Sequence, residues 1–309
     1  MNRRDYFRSR VAAFYRINRI FSKVSMPLPW AKKPRDQVAP AAYDLFPAAD
    51  PTCLECAHPC PEFPPSIQDS IDHKDVLYGT VRDYGPHILV ATGKSNWPHT
   101  IEEEKGSMAN ALSKANEASS TASKRRHLIK ISNCSISPPH EFHTDDENKP
   151  TDLLLVSSFI RVNGVPQRRA QEFVDSFVHG MDVPTSLTPI KMQYDAVVLL
   201  CSHKQRDKRC GVTAPILRAE FERHLRQQHL FRDAHDSRPG GVLVQYINHV
   251  GGHKYSGNVL IYRREPRECM WLGRVEPRHV EGIVAQSVLQ GRAFPQLLRG
   301  GYSATKTSW

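Results

Sequence analysis

The sequence predicts an α/β protein, and three observations carry that prediction. Short apolar runs rich in Val, Ile and Leu recur along the chain, bounded by Gly, Asp or Asn: His87–Ala91, Asp152–Val156, Ala196–Leu200 and Val242–Ile247. They read as buried strands. Segments with apolar residues at helical spacing follow several of them, as with Ala170, Phe173, Val174 and Phe177. The passage strand, charged loop, proline, helix also occurs twice, from His87 and from Val197. This weak likeness suggests a degenerate internal duplication whose first copy has lost its cysteines.

The chain has 309 residues, enough for one large domain or two ordinary ones. Three regions are expected: a leader and linker over 1–36, an N-terminal α/β domain over 37–185, and a C-terminal domain over 186–309. Net charge is +10. Residues 1–36 hold ten basic residues against Asp5 and Asp36, so +8 of the +10 lies there. The body is near neutral, which argues against a nucleic-acid surface. No apolar run approaches the length of a membrane span, so no stable membrane insertion is expected. Seven cysteines without a secretory signal point to metal ligation or redox chemistry rather than a disulfide framework.

Taken in order, residues 1–26 read as a mitochondrial presequence. They are rich in Arg and almost free of acids, with Phe7, Val11 and Phe14 at helical spacing. Pro27, Pro29, Pro34 and Pro40 make a linker. Cys53, Cys56 and Cys60 lie within eight residues on a Pro-rich loop. A reactive dithiol, a second metal site and a set of structural thiols all fit them. His87–Gly93 is a strand, and a helix is expected from Ile101, with Glu102, Glu103 and Glu104 in its first turn. Residues 106–126 are rich in Ser, Ala, Asn and Lys, and 137–151 in Pro, His and acids; both read as exposed, disordered insertions. A strand at His127–Ser132 precedes Cys134, a buried, inert thiol. A strand at Asp152–Val156 and a helix over Gln167–His179 complete the first half.

The second half is clearer. Strand Ala196–Leu200 runs into Cys201, and the charged loop Lys204–Arg209 leads to Cys210. A helix from about Ala214 to His229 follows, with Pro215 in its first turn. Strand Val242–Ile247 runs into His249-Val250-Gly251-Gly252-His253. Strands at Val259–Tyr262 and Met270–Val275 and a helix from Pro277 to about Gln290 close the pattern. The order β-α-β-β-α is that of a thioredoxin-like layer, with Cys201 where the first strand meets its helix.

Two thiols and two imidazoles at strand ends are donors suited to a metal. The glycines at 251 and 252 disfavour a helix and suit a tight turn that brings both rings to one side. The donor set Cys2His2 suits zinc, and it also suits a [2Fe–2S] cluster with two thiolates on one iron and two imidazoles on the other. His203 lacks the remainder of a Rieske motif and reads as a supporting or surface histidine. A metal-free thiol–disulfide oxidoreductase using Cys201 stays open, although an eight-residue separation is poor for a dithiol. So does a zinc-stabilised interaction module.

The spacing in CSHKQRDKRCG and HVGGHKYSGN, followed by WLGRVEP, resembles the sucrase/ferredoxin-like family from about Cys53 to the end, most strongly over 196–285. The resemblance implies a bis-histidinyl [2Fe–2S] cluster in a thioredoxin-like domain, with Cys201 and Cys210 on one iron and His249 and His253 on the other. It implies electron transfer or a redox role in thiol or oxidant homeostasis, more than a turnover enzyme, with a redox partner protein not identified. The basic loop at 204–209 suits an acidic electron donor. Delivery by iron–sulfur assembly machinery is expected. The leader points to mitochondria, while the terminal Trp309 resembles the tail by which some such proteins are handed to cytosolic machinery, leaving the cytosol as the alternative.

Overall fold

The strand–helix unit predicted around Cys201 is present, and it is present twice. The computed structural model describes residues 45–54, 59–123, 128–138 and 149–308. The expected leader, Cys56 and Trp309 lie outside these residues. After a short helix α1 (Pro65–Gln68), the first half runs β1 (His87–Ala91), α2 (Met108–Ser123), β2 (Lys130–Cys134), β3 (Thr151–Leu155), β4 (Ile160–Val165), α3 (Ala170–Phe177) and β5 (Pro189–Lys191). The second half repeats the order. It runs β6 (Ala196–Cys201), α4 (Lys208–Gln227), the short β7 (Phe231–Arg232), β8 (Val242–Ile247), β9 (Val259–Arg263) and β10 (Glu268–Leu272). A last helix α5 (Val280–Gly282, continued as a π-helix over Ile283–Val288) then leads to β11 (Leu298–Tyr302) and β12 (Thr307–Ser308).

Strand pairing repeats as well. β1 is parallel to β2 and antiparallel to β3, and β6 is parallel to β8 and antiparallel to β9. The 12-stranded sheet has the order β12-β11-β10-β9-β6-β8-β2-β1-β3-β4-β5, with β7 beside β8. Residues 37–309 form one compact unit, and β5, at 189–191, belongs to the edge of the first half.

The sheet is folded at its middle. β2 and β8 meet at one residue pair, Cys134 with Ile247, where the halves join. Four strand spacings separate β1 from β9, about 19 Å in a flat sheet. Yet His87 Nδ1 of β1 lies 2.7 Å from the Tyr262 hydroxyl of β9. The half-sheets therefore face one another. Leu89, Ala91 and Leu154 of one and Val197, Leu199, Leu260 and Trp271 of the other share a core between them. The opposite faces carry the helices: α4 and α5 cover the second half, α2 and α3 the first. The result is four layers, α/β/β/α.

Several boundaries differ from the sequence reading. Ile101–Glu103 is only a 3-10 turn, and the helix begins at Met108, inside the stretch expected to be an exposed insertion. Met108, Ala109, Leu112 and Ala115 are buried at helical spacing, and the Ser107 hydroxyl caps the start by accepting from the Asn110 N–H. The small, polar residues around those four conceal the stripe. The second-half helix starts at Lys208, because the Asp207 carboxylate accepts from the Arg209 N–H at 2.9 Å. Pro215 is thus interior to the helix. β4, β11 and β12 were not anticipated; β11 contains Gly300 and Gly301. No helix among the described residues is long and apolar enough to cross a membrane.

Candidate metal centre

The C-terminal ends of the parallel strands β6 and β8 point to the same place, the usual location of sites in such sheets. Cys201 is the last residue of β6, and its N–H donates to the Asn258 carbonyl. Cys210 sits in the first turn of α4 rather than in a loop. Unpaired N–H groups there favour a nearby negative charge. Both cysteines are buried.

Ligand atoms of Cys201, Cys210 and His249 all lie within 4.8 Å of one another, and Cys201 Sγ is 3.8 Å from His249 Nδ1. The turn between the histidines has Gly251 at φ 95° and Gly252 at φ 71°, backbone that suits glycine. It sets the rings of His249 and His253 at a centroid separation of 5.4 Å. Three of the four residues read as donors are therefore gathered at one point, and the fourth, His253, lies beside them with its ring next to that of His249. Exposure is graded across it: the thiols are buried, His249 is half-buried and His253 is exposed.

The electrostatics follow from this packing. Hydrogen bonding with Cys210 holds the Cys201 thiol well below the usual range, His249 adds to the effect, and burial opposes it. The same bond and burial push Cys210 up. The pair therefore retains one proton between them. Burial lowers His253, which stays neutral near pH 7.

His203 is not a member of the donor group. It is buried and holds the group in position. Its Nδ1 accepts from the His249 N–H at 3.1 Å, which leaves the proton on Nε2 to donate to the Trp97 carbonyl at 2.6 Å. That loop belongs to the first half. Ser202 Oγ also donates to the Ser95 carbonyl, and the Gln205 N–H to Asn96 Oδ1. The first half thus braces the half that carries the cysteine–histidine group.

Three contributors escaped the sequence reading. Asn258 Nδ2 donates to the Gly252 carbonyl at 3.0 Å, tying the histidine turn to the backbone partner of Cys201. Arg299 of β11 reaches under the same turn. The loop from Ser95 to Trp97 accepts hydrogen bonds from Ser202, His203 and Gln205. Asn258 has a faint signal as an Asn just after Gly257; Arg299 and the loop have none. Of the second cysteine group, Cys56 lies outside the described residues. Cys53 is exposed, and Cys60 lies 3.9 Å from Arg223 Nη2 on α4.

Fold and site together define a doubled α/β protein with a cysteine–histidine group that could hold a metal ion at the strand ends of its second copy. The chain belongs to the sucrase/ferredoxin-like family, whose model matches residues 77–300. It is 30% identical over 246 residues to actin patches distal protein 1 of Saccharomyces cerevisiae, covering 74% of this chain and 78% of that one. It is also 30% identical over 275 residues to altered inheritance of mitochondria protein 32 of Clavispora lusitaniae, covering 82% and 93%. The protein of that name from Debaryomyces hansenii is 28% identical over 255 residues, covering 74% and 87%. No solved structure matches.

Proposed function

We propose that this chain is a redox protein that holds a [2Fe–2S] cluster, with Cys201 and Cys210 on one iron and His249 and His253 on the other. The observation that carries the reading is the convergence of two buried thiols and the His249 imidazole within 4.8 Å, with the His253 ring 5.4 Å from that of His249. The donor chemistry fits: two sulfur and two nitrogen donors satisfy such a cluster and need no further protein ligand. When bound, the cluster supplies reversible one-electron transfer.

The chain's own residues set the terms. The buried thiols anchor the site away from water, and the exposed His253 gives it a solvent-facing edge for electron exchange. Arg206 is exposed and acts electrostatically on His253, and Lys204 and Lys208 are exposed in the same loop. They suit an acidic protein partner, with faster encounter at low salt. The names of the mitochondrial relatives and the Arg-rich leader support a mitochondrial role in thiol or oxidant homeostasis, with cluster delivery by the assembly machinery there.

Zinc is the second reading, because three donors within 4.8 Å also suit a single tetrahedral ion. Metal-free dithiol exchange is disfavoured by the burial of both thiols, since reactive cysteines are normally part-exposed. Anaerobic purification followed by metal analysis and visible absorption decides between them. Two irons and two sulfides per chain with a red-brown colour, lost in the His249→Ala, His253→Ala double variant, support the cluster. One zinc and no colour refute it.

A further inference from the structure

Arg299 is 2% exposed, and no carboxylate pairs with it among the described residues. Its Nη1 donates to Asn258 Oδ1 at 2.6 Å and to the Gly251 carbonyl at 3.2 Å. Its Nε and Nη2 donate to the hydroxyl and carbonyl of Thr80. The guanidinium also lies 5.3 Å from the Tyr255 ring centroid and 5.5 Å from that of Trp271. Every polar partner is therefore neutral.

A buried charge with no counter-ion is strongly destabilising. Burial lowers Arg299 only to about 10, so it stays charged at neutral pH. The anionic groups that act on it are the phenol of Tyr255, when ionised, and the thiols of Cys201 and Cys210. Resident negative charge at the neighbouring site would supply the counter-charge that these neutral partners do not.

We infer that Arg299 is the counter-cation of the centre and the positioning residue of its histidine turn: it clamps Gly251 and Asn258 from below and stabilises the more negative, reduced state of whatever the thiolates bind. The inference rests on the reading of this site as an anionic metal centre. A fixed positive charge raises the reduction potential of a nearby cluster. It also offsets the charge of two thiolates on zinc.

The test uses the loaded full chain and three variants, with reduction followed by EPR. In Arg299→Met the ratio of reduced to oxidised protein at the wild-type midpoint falls at least tenfold, 59 mV for one electron. Arg299→Lys keeps the charge and recovers most of the loss. Arg299→Gln removes the charge but keeps amide donors for the oxygens of Gly251 and Asn258, so it too lowers the ratio. This variant keeps the test decisive if Arg299→Met does not load metal. Loaded variants with the wild-type potential would overturn the inference, because a purely structural arginine leaves the potential unmoved. Metal analysis of the wild type separately tests the cluster reading. If zinc is found, the same variants are read by chelator competition: zinc affinity falls at least tenfold in Arg299→Gln and recovers in Arg299→Lys if Arg299 is the counter-cation, and is unchanged in both if it is not.

Discussion

Replacing Gly252 by alanine should damage the centre in a way that replacing its neighbour Gly251 does not. Both residues have left-handed backbone, at φ 71° and φ 95°. An alanine in such a conformation costs about 1 kcal/mol. At Gly251 an added methyl group meets nothing within 4 Å, so that cost is the whole effect. At Gly252 it lies 2.6 Å from Arg299 Cζ and 2.7 Å from Nη1. An arginine head group usually moves aside cheaply. This one is buried and bonded to Gly251, Asn258 and Thr80, so it cannot move without breaking charged hydrogen bonds of about 1.5–3 kcal/mol each. Gly252→Ala should therefore cost about 3–4 kcal/mol, and Gly251→Ala about 1 kcal/mol. For a domain of this size that separates the two melting temperatures by roughly 5 °C or more. Differential scanning calorimetry of both variants, with metal content measured alongside, reads the difference. Equal losses would refute the seating of Arg299 under the turn.

Other consequences concern burial and the joint between the halves. His203→Ala leaves the His249 N–H and the Trp97 carbonyl without their partner; it should cost about 2–4 kcal/mol and reduce metal occupancy, measured by denaturant unfolding and metal analysis. Burial pushes Cys134 and Cys269 up to about 12 from 9.0. Between those values the unfolded chain releases both protons and the folded chain keeps them, so stability falls as pH rises above 9. Each thiol contributes a loss of about 1.4 kcal/mol by pH 10, and alanine at both positions should flatten that limb of the pH–stability curve. The buried Asp152 carboxylate pairs with Arg161 and accepts from the Gly164 N–H at 2.8 Å. Asp152→Ala should therefore destabilise by about 3–5 kcal/mol in urea titrations and leave the metal spectrum of the folded protein unchanged.

What the sequence disclosed depended on how local each signal was. β6 and β8 are unbroken apolar runs, and Gly251 and Gly252 announce a turn, so the strand ends were legible, and with them the group of Cys201, Cys210 and His249. The first copy was legible only as a weak echo. Its strand β1 reads clearly, but the helix that should follow hides four buried residues among serines and asparagines. Cys210 was placed in a loop because Pro215 looked like a helix start, whereas the Asp207 cap sets the start earlier. The folding of the half-sheets onto one another rests on pairings distant in sequence, such as His87 with Tyr262, which no local pattern encodes. Arg299 lies on a glycine-containing strand far down the chain, and only the packed structure shows that it reaches the site.

The central claim is that two histidines and two cysteines together bind one [2Fe–2S] cluster. Pulsed EPR on reduced protein labelled with 15N-histidine tests it most directly. The account predicts couplings from two directly bound histidine nitrogens, with one lost in His249→Ala and one in His253→Ala. A cluster signal without histidine nitrogen coupling, or an iron-free protein holding one zinc per chain, would contradict it.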